Sequence, residues 1–126
     1  MNDLVGLEIE QRDAVVIARL TGELDISVAE STGRKIAEAV PSSARGVVVD
    51  MAGLEFMDSS GVSMLFGLAR QVGSHRQQLV VVAPTGRPVS RVLQIVDFDR
   101  AAPVREDVDT AIEAIATPRG SQPPPE

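Results

Sequence analysis

Two adjacent hydroxyls, Ser59 and Ser60, follow a carboxylate and precede a glycine in Phe56-Met57-Asp58-Ser59-Ser60-Gly61-Val62. They stand between a Val-rich segment, Val47-Val48-Val49, and a stretch whose apolar residues recur at three- and four-residue steps, so the pattern places them between a buried strand and a new helix. A helix start offers free backbone N–H groups and the positive end of the macrodipole, and a phosphate attached there is compatible with the fold. The chemistry this suggests is that of a phosphate acceptor. The plainer alternative is an ordinary cap: Ser59 or Ser60 can serve as N-cap or turn residues, and Asp58 can either cap the helix or position the neighbouring hydroxyl.

Other chemistry is poorly provided for. His75 is the sole histidine and falls in Gly73-Ser74-His75-Arg76, at the far end of the helix that starts near Ser59, about 20 Å away at 1.5 Å per residue. That separation defeats a Ser-His-Asp triad, and Gly61-Val62-Ser63-Met64-Leu65 lacks the closing glycine of a nucleophile elbow. Gly22, Gly53 and Gly61 form no phosphate-binding fingerprint, and no Asp, Glu or His cluster has metal-ligand spacing. With no cysteine there is neither thiolate chemistry nor a disulfide framework, as expected for a reducing compartment. The expectation is therefore a protein that is acted upon, with no enzymatic activity and no cofactor.

Composition narrows the partners. A length of 126 residues with 44 % hydrophobic content is enough for one domain with a real core, but aromatics are limited to Phe56, Phe66 and Phe98, so that core must be aliphatic. A net charge of −6 and the scarcity of aromatics argue against nucleic-acid binding, and direct DNA binding is not expected. The first residues, Met1-Asn2-Asp3-Leu4-Val5-Gly6-Leu7-Glu8, have no basic region followed by an apolar core, and no window approaches the ~20 apolar residues of a membrane span. Cytoplasmic residence without membrane contact is the expectation.

The elements that must position the hydroxyls follow from periodicity. Leu7 and Ile9 alternating with Glu8 and Glu10, a turn at Gln11-Arg12-Asp13, and Ala14–Leu20 predict a β-hairpin, with Thr21-Gly22-Glu23-Leu24-Asp25 as a loop. Ser27 and Glu30 match a capping box for a helix from about Ser27 to Val40. Val47–Val49 predicts a central strand, and Val62, Leu65, Phe66, Ala69 and Val72 mark the core stripe of the second helix, leaving Met64 and Leu68 off that stripe as an exposed apolar pair with Ser63 and Gly67 around them. Leu79–Ala83 is a further strand, Pro88 starts a third helix, Ala102-Pro103-Val104 is a short last strand and Glu106–Ala116 a last helix. Residues 117–126, from Thr117 to Glu126, form a Pro-rich tail expected to be disordered. The alternation predicts an α/β fold, a mixed β-sheet with α-helices packed mainly on one face.

This order, together with Leu20-Thr21-Gly22-Glu23-Leu24-Asp25 and Phe56-Met57-Asp58-Ser59-Ser60-Gly61-Val62, resembles the bacterial anti-sigma factor antagonists, single-domain members of the STAS family. The resemblance covers Leu7 to Ala116 and makes residues 1–116 one STAS domain. It implies that the unphosphorylated chain binds an anti-sigma factor, an ATP-dependent serine kinase of the histidine-kinase-like type, and so releases a sigma factor. It implies further that the kinase phosphorylates the serine after the aspartate, Ser59, which switches binding off, and that a metal-dependent serine phosphatase resets the cycle. The same resemblance places Glu23 and Asp25 beside the phosphorylation site. With Asp58, Ser60, Gly61, Ser63, Met64 and Leu68 they make up the expected partner-binding set. Solvated loop carboxylates and incidental surface residues are the plain alternatives for this set. A STAS scaffold subunit of a stress-signalling assembly, or a module sensing a nucleotide or lipid, is the alternative function. One departure from the family pattern is Asp97, where a glycine is usual after the third helix; aspartate tolerates left-handed backbone better than most residues, so the turn is expected to persist.

Overall fold

The computed structural model describes residues 5–116. Five strands and four helices alternate along the chain: β1 (Val5–Arg12), β2 (Val15–Leu24), α1 (Ala29–Ala39), β3 (Gly46–Met57), α2 (Ser59–Ser74), β4 (Gln78–Val82), α3 (Pro88–Ile95), β5 (Val104–Arg105) and α4 (Val108–Ala116), with a 3₁₀ turn at Phe98–Arg100. The strands lie in the sheet in chain order, β1-β2-β3-β4-β5, the first pair antiparallel and the rest parallel. Parallel neighbours require crossovers, and right-handed crossovers toward one side of the sheet put α1 and α2 on the same face.

The pleat of the central strands then sorts the aliphatic core. Val47 and Val49 point to the face covered by α1, α2 and α3, where they join Ile36, Leu65, Leu93 and the fully buried Phe98. Val48 points to the opposite face and packs with Ile17, Val80 and Val82 under Ala111 and Ile115 of α4. A strand buried on both faces needs an unbroken apolar run, which is what Val47-Val48-Val49 supplies. Toward β1 this second face is polar: Glu10 accepts from Arg19 at 2.6 Å and from Arg12 at 2.8 Å, and those guanidiniums hold its carboxyl below the ordinary range.

Several boundaries differ from the sequence-based expectation: β1 runs on through Gln11 and Arg12, where the pattern predicts a turn, and β3 continues past Val49 to Met57. Thr21–Leu24 is not a loop but the end of β2, which continues beside β3 through register shifts after Arg19 and Gly22. Gly22 takes φ 86°, so the irregularity is absorbed without ending the strand. The Ser27/Glu30 capping box does not form either: α1 starts at Ala29, and Val28 at its N-cap offers no side-chain bond. Asp97 adopts φ 58° and ψ 44°, the left-handed conformation expected of it, and turns the chain from α3 into the 3₁₀ segment. Its bonded neighbour Asp99 raises its pKa. Phe98 beyond it packs edge-on against Phe66 of α2, ring centroids 5.0 Å apart. The Pro-rich tail lies outside the described residues.

Candidate functional site

The C-terminal ends of β2 and β3 bring Leu20–Asp25 and Phe56–Val62 together. The N–H of Asp58 donates to the carbonyl of Leu24 at 3.3 Å, so the start of α2 is stitched to the end of β2. Asp58 is the N-cap: its extended backbone leads into the helix, and its Oδ1 accepts from the N–H of Ser60 at 2.8 Å and of Gly61 at 3.4 Å. Two N–H groups that a helix start leaves over are satisfied by this one carboxylate. Ser60 is therefore not the cap, and Ser59 is the first helical residue, exposed, its hydroxyl without a hydrogen-bond partner among the described residues.

Gly61 is buried, and the reason is steric. A Cβ there would lie 2.4 Å from Met57 Cγ and 3.1 Å from Leu24 Cδ2, so only glycine lets the first turn of α2 settle on the ends of β2 and β3. Of the expected partner-binding set, Gly61 is thus an internal position whose role in the motif is to seat the helix. Leu68 is a second correction: at 3 % exposure it belongs to the core. The buried stripe of α2 runs through Gly61, Leu65, Leu68 and Val72, rotated from the expected one, while Met64 is half-buried against α1. A Cβ on Gly33 of α1 would fall 2.6 Å from Met64 Cγ, which measures how closely the two helices meet there.

Around Ser59, Asp25 holds the chain leaving β2. Its Oδ1 accepts from Ser27 N–H at 2.9 Å and from Ser27 Oγ at 2.6 Å, and its carbonyl accepts from Val28 and Ala29. Glu23 is exposed and lies across from Phe56 in the β2–β3 ladder. Ile26, 78 % exposed, and Phe56, 48 % exposed, are the apolar residues at this end of the sheet that the expectation passed over. From Ser59 an open groove of about 790 Å³ runs between α1 and α2, and Ser60, Ser63 and Met64 line it. His75 stands at the opposite end of α2, its Nδ1 2.9 Å from the carbonyl of Gln71, so the structure brings no base to either serine. No three acidic or histidine side chains among the described residues could hold a metal ion, and no helix among them is long and apolar enough to cross a membrane.

A five-stranded mixed sheet with this strand order, and a capped Asp-Ser-Ser-Gly helix start at its C-terminal end, defines the class. The STAS domain family model matches residues 6–111, and the chain belongs to that family. Among curated relatives it is 33 % identical over 115 residues to an anti-sigma F factor antagonist of Lysinibacillus sphaericus, covering 90 % of this chain and 93 % of that one. In structure it is similar to an anti-sigma factor antagonist from Mycobacterium paratuberculosis, with a TM-score of 0.80 at 24 % identity over 90 % of this chain and 95 % of the other. The phosphorylated form of SpoIIAA, a Bacillus cell fate determinant, superimposes with a TM-score of 0.63 at 25 % identity, covering 87 % of this chain and 99 % of that one.

Proposed function

We propose that this chain is an anti-sigma factor antagonist that works by partner switching in the cytoplasm. Unphosphorylated, it binds an anti-sigma factor through the surface around Ser59, formed by Glu23, Asp25, Asp58, Ser60, Ser63 and Met64, and thereby frees a sigma factor. The anti-sigma factor is itself an ATP-dependent serine kinase of the histidine-kinase-like type. It phosphorylates Ser59 and loses its grip, and a serine phosphatase restores the binding form. The chain contributes binding and accepts phosphate; it catalyses nothing.

One observation carries this reading. Ser59 occupies the first position of α2 with its hydroxyl exposed and unbonded, because Asp58 has already taken the work of capping. A phosphate there adds about −1.5 to −2 charges at the end of a helix that tolerates them, so the fold survives modification. A protein surface packed over Ser59 does not tolerate them: the charge has to be desolvated without a partner, next to Asp58 and near Asp25 and Glu23. Folding and binding are thereby separated at a single atom.

The test is intact-mass measurement of the chain after incubation with ATP and candidate anti-sigma kinases, with binding followed by calorimetry. One phosphate on Ser59, absent from Ser59→Ala, is expected. Ser59→Asp is expected to weaken the complex by about a hundredfold or more, close to 2.7 kcal/mol. Stable complexes with no phosphate transferred, and unaffected by Ser59→Asp, would instead favour a STAS scaffold.

A further inference from the structure

The groove that starts at Ser59 continues well past it. Its floor is made of small or flexible residues, Ala29, Gly33 and Ala37 of α1 and Met64, Gly67 and Leu68 of α2, and Ile26 stands at its head. Along α2 it reaches from Ser59 to Gln71, which at 1.5 Å per residue is about 18 Å, or a little over three helical turns. The α1 rim carries Glu30, Arg34 and Glu38, all exposed and one turn apart, whereas the α2 rim offers the uncharged Ser63 and Gln71.

We infer that this groove seats an amphipathic helix of the partner protein, with two cations on the flank facing α1 and a carboxylate between them. The inference rests on the reading of the chain as an antagonist and extends its contact surface from Ser59 along both helices. Three observations support it. Both walls are helices, whose interior backbone groups are already bonded to one another. An extended peptide laid between them would bury N–H and C=O groups with nothing to pair, while a helix brings its own bonds satisfied. The length of about 18 Å takes anchors at i, i+4, i+7 and i+11 of such a helix, which span about 16.5 Å, and the shallow floor of alanine and glycine admits them, with Met64 able to shift and fill irregular gaps. The alternating negative, positive, negative rim selects the complementary order of charges on one flank, and like charges placed there would be rejected.

Gly67 makes the groove testable without disturbing the fold. A Cβ on Gly67 meets nothing closer than Arg70 Nη2 at 3.7 Å, so Gly67→Leu fills the groove from a position that has room for it. Gly73 lies in the same helix outside the groove with nothing within 4 Å of its Cβ position, and Gly73→Leu is the matched control. With the full chain and the anti-sigma factor that its unmodified form binds, Gly67→Leu is expected to raise Kd at least tenfold and Gly73→Leu to leave it within twofold. The double charge reversal Glu30→Lys with Glu38→Lys, on exposed surface, is expected to raise it tenfold as well. Hydrogen exchange of the complex should show protection along α1 and along α2 as far as Gln71. Protection confined to residues 55–62, with Gly67→Leu and the charge-reversed chain binding like the parent, overturns the groove and leaves the reading of Ser59 intact. Complexes lost on filling the groove but indifferent to Ser59→Asp support the groove and overturn that reading instead.

Discussion

α1 and α2 leave their strands through the same device, and the two starts can be compared residue by residue. Asp25 and Asp58 each accept from the N–H two residues on, at 2.9 and 2.8 Å, and each carbonyl accepts from the residues three and four on. The residue directly after the aspartate is therefore pushed outward in both: it is Ile26 in one and Ser59 in the other, both exposed. The next residue is a serine in both, but Ser27 Oγ is tied to Asp25 at 2.6 Å, whereas the hydroxyl of Ser60, like that of Ser59, has no hydrogen-bond partner among the described residues. The difference lies in the side chain placed at a projecting position that the backbone supplies twice. A hydroxyl there makes a modifiable surface, and an isoleucine makes an adhesive one.

The comparison can be broken most severely at the fourth residue of each device, where Val28 carries a side chain and Gly61 cannot. Gly61→Leu drives carbon atoms into Met57 and Leu24 and is expected to destabilise the chain by about 3 kcal/mol, against less than about 1 kcal/mol for Val28→Leu; urea unfolding measures both. Next come the caps themselves. Asp58→Ala removes a side-chain acceptor from the first N–H groups of α2, and Asp25→Ala removes one from the N–H of Ser27 in the turn before α1; each is expected to cost about 1 kcal/mol, with similar shifts in midpoint if the two devices are equivalent. A much larger cost for Asp58→Ala alone would show that the α2 start is stitched to the sheet by more than its cap. The smallest effects sharpen the contrast between the serines. Ser27→Ala is expected to lose about 0.5–1 kcal/mol with its hydrogen bond to Asp25, and Ser59→Ala to change stability by less than about 0.5 kcal/mol. An equal loss at both positions would mean that the Ser59 hydroxyl is structural after all.

Element order and the position of the Asp-Ser-Ser-Gly step were legible because each rests on a local signal: two-residue or helical periodicity, and a polar cluster between them. Thr21–Leu24 misled because a glycine and a charged residue read as a loop, while the strand persists through register shifts that only its pairing with β3 reveals. The capping box at Ser27 was overridden from outside its own four residues, since Asp25 reaches Ser27 first. Met64 and Leu68 were misplaced because periodicity gives a stripe for one buried face, and α2 is covered on more than one: by the sheet beneath Leu65 and Leu68, by α1 beside Met64 and by Phe98 beside Phe66. The groove had a faint signal in Ala29, Gly33 and Ala37, small residues one turn apart, but its shape depends on how far two helices separate, which no single segment encodes.

That the sheet is laid down in chain order has a consequence for synthesis on the ribosome. Each strand after the first can add to an edge that already exists, with no later strand needed to fill a gap, so pairing proceeds through short separations along the chain. Everything that frames Ser59, from Leu24 and Asp25 through Asp58 and Gly61 to the groove wall at Gln71, has been translated before β4 is made. The end of the molecule that carries Ser59 is the part the nascent chain completes first, and the remaining strands, α3 and α4 close the core behind it.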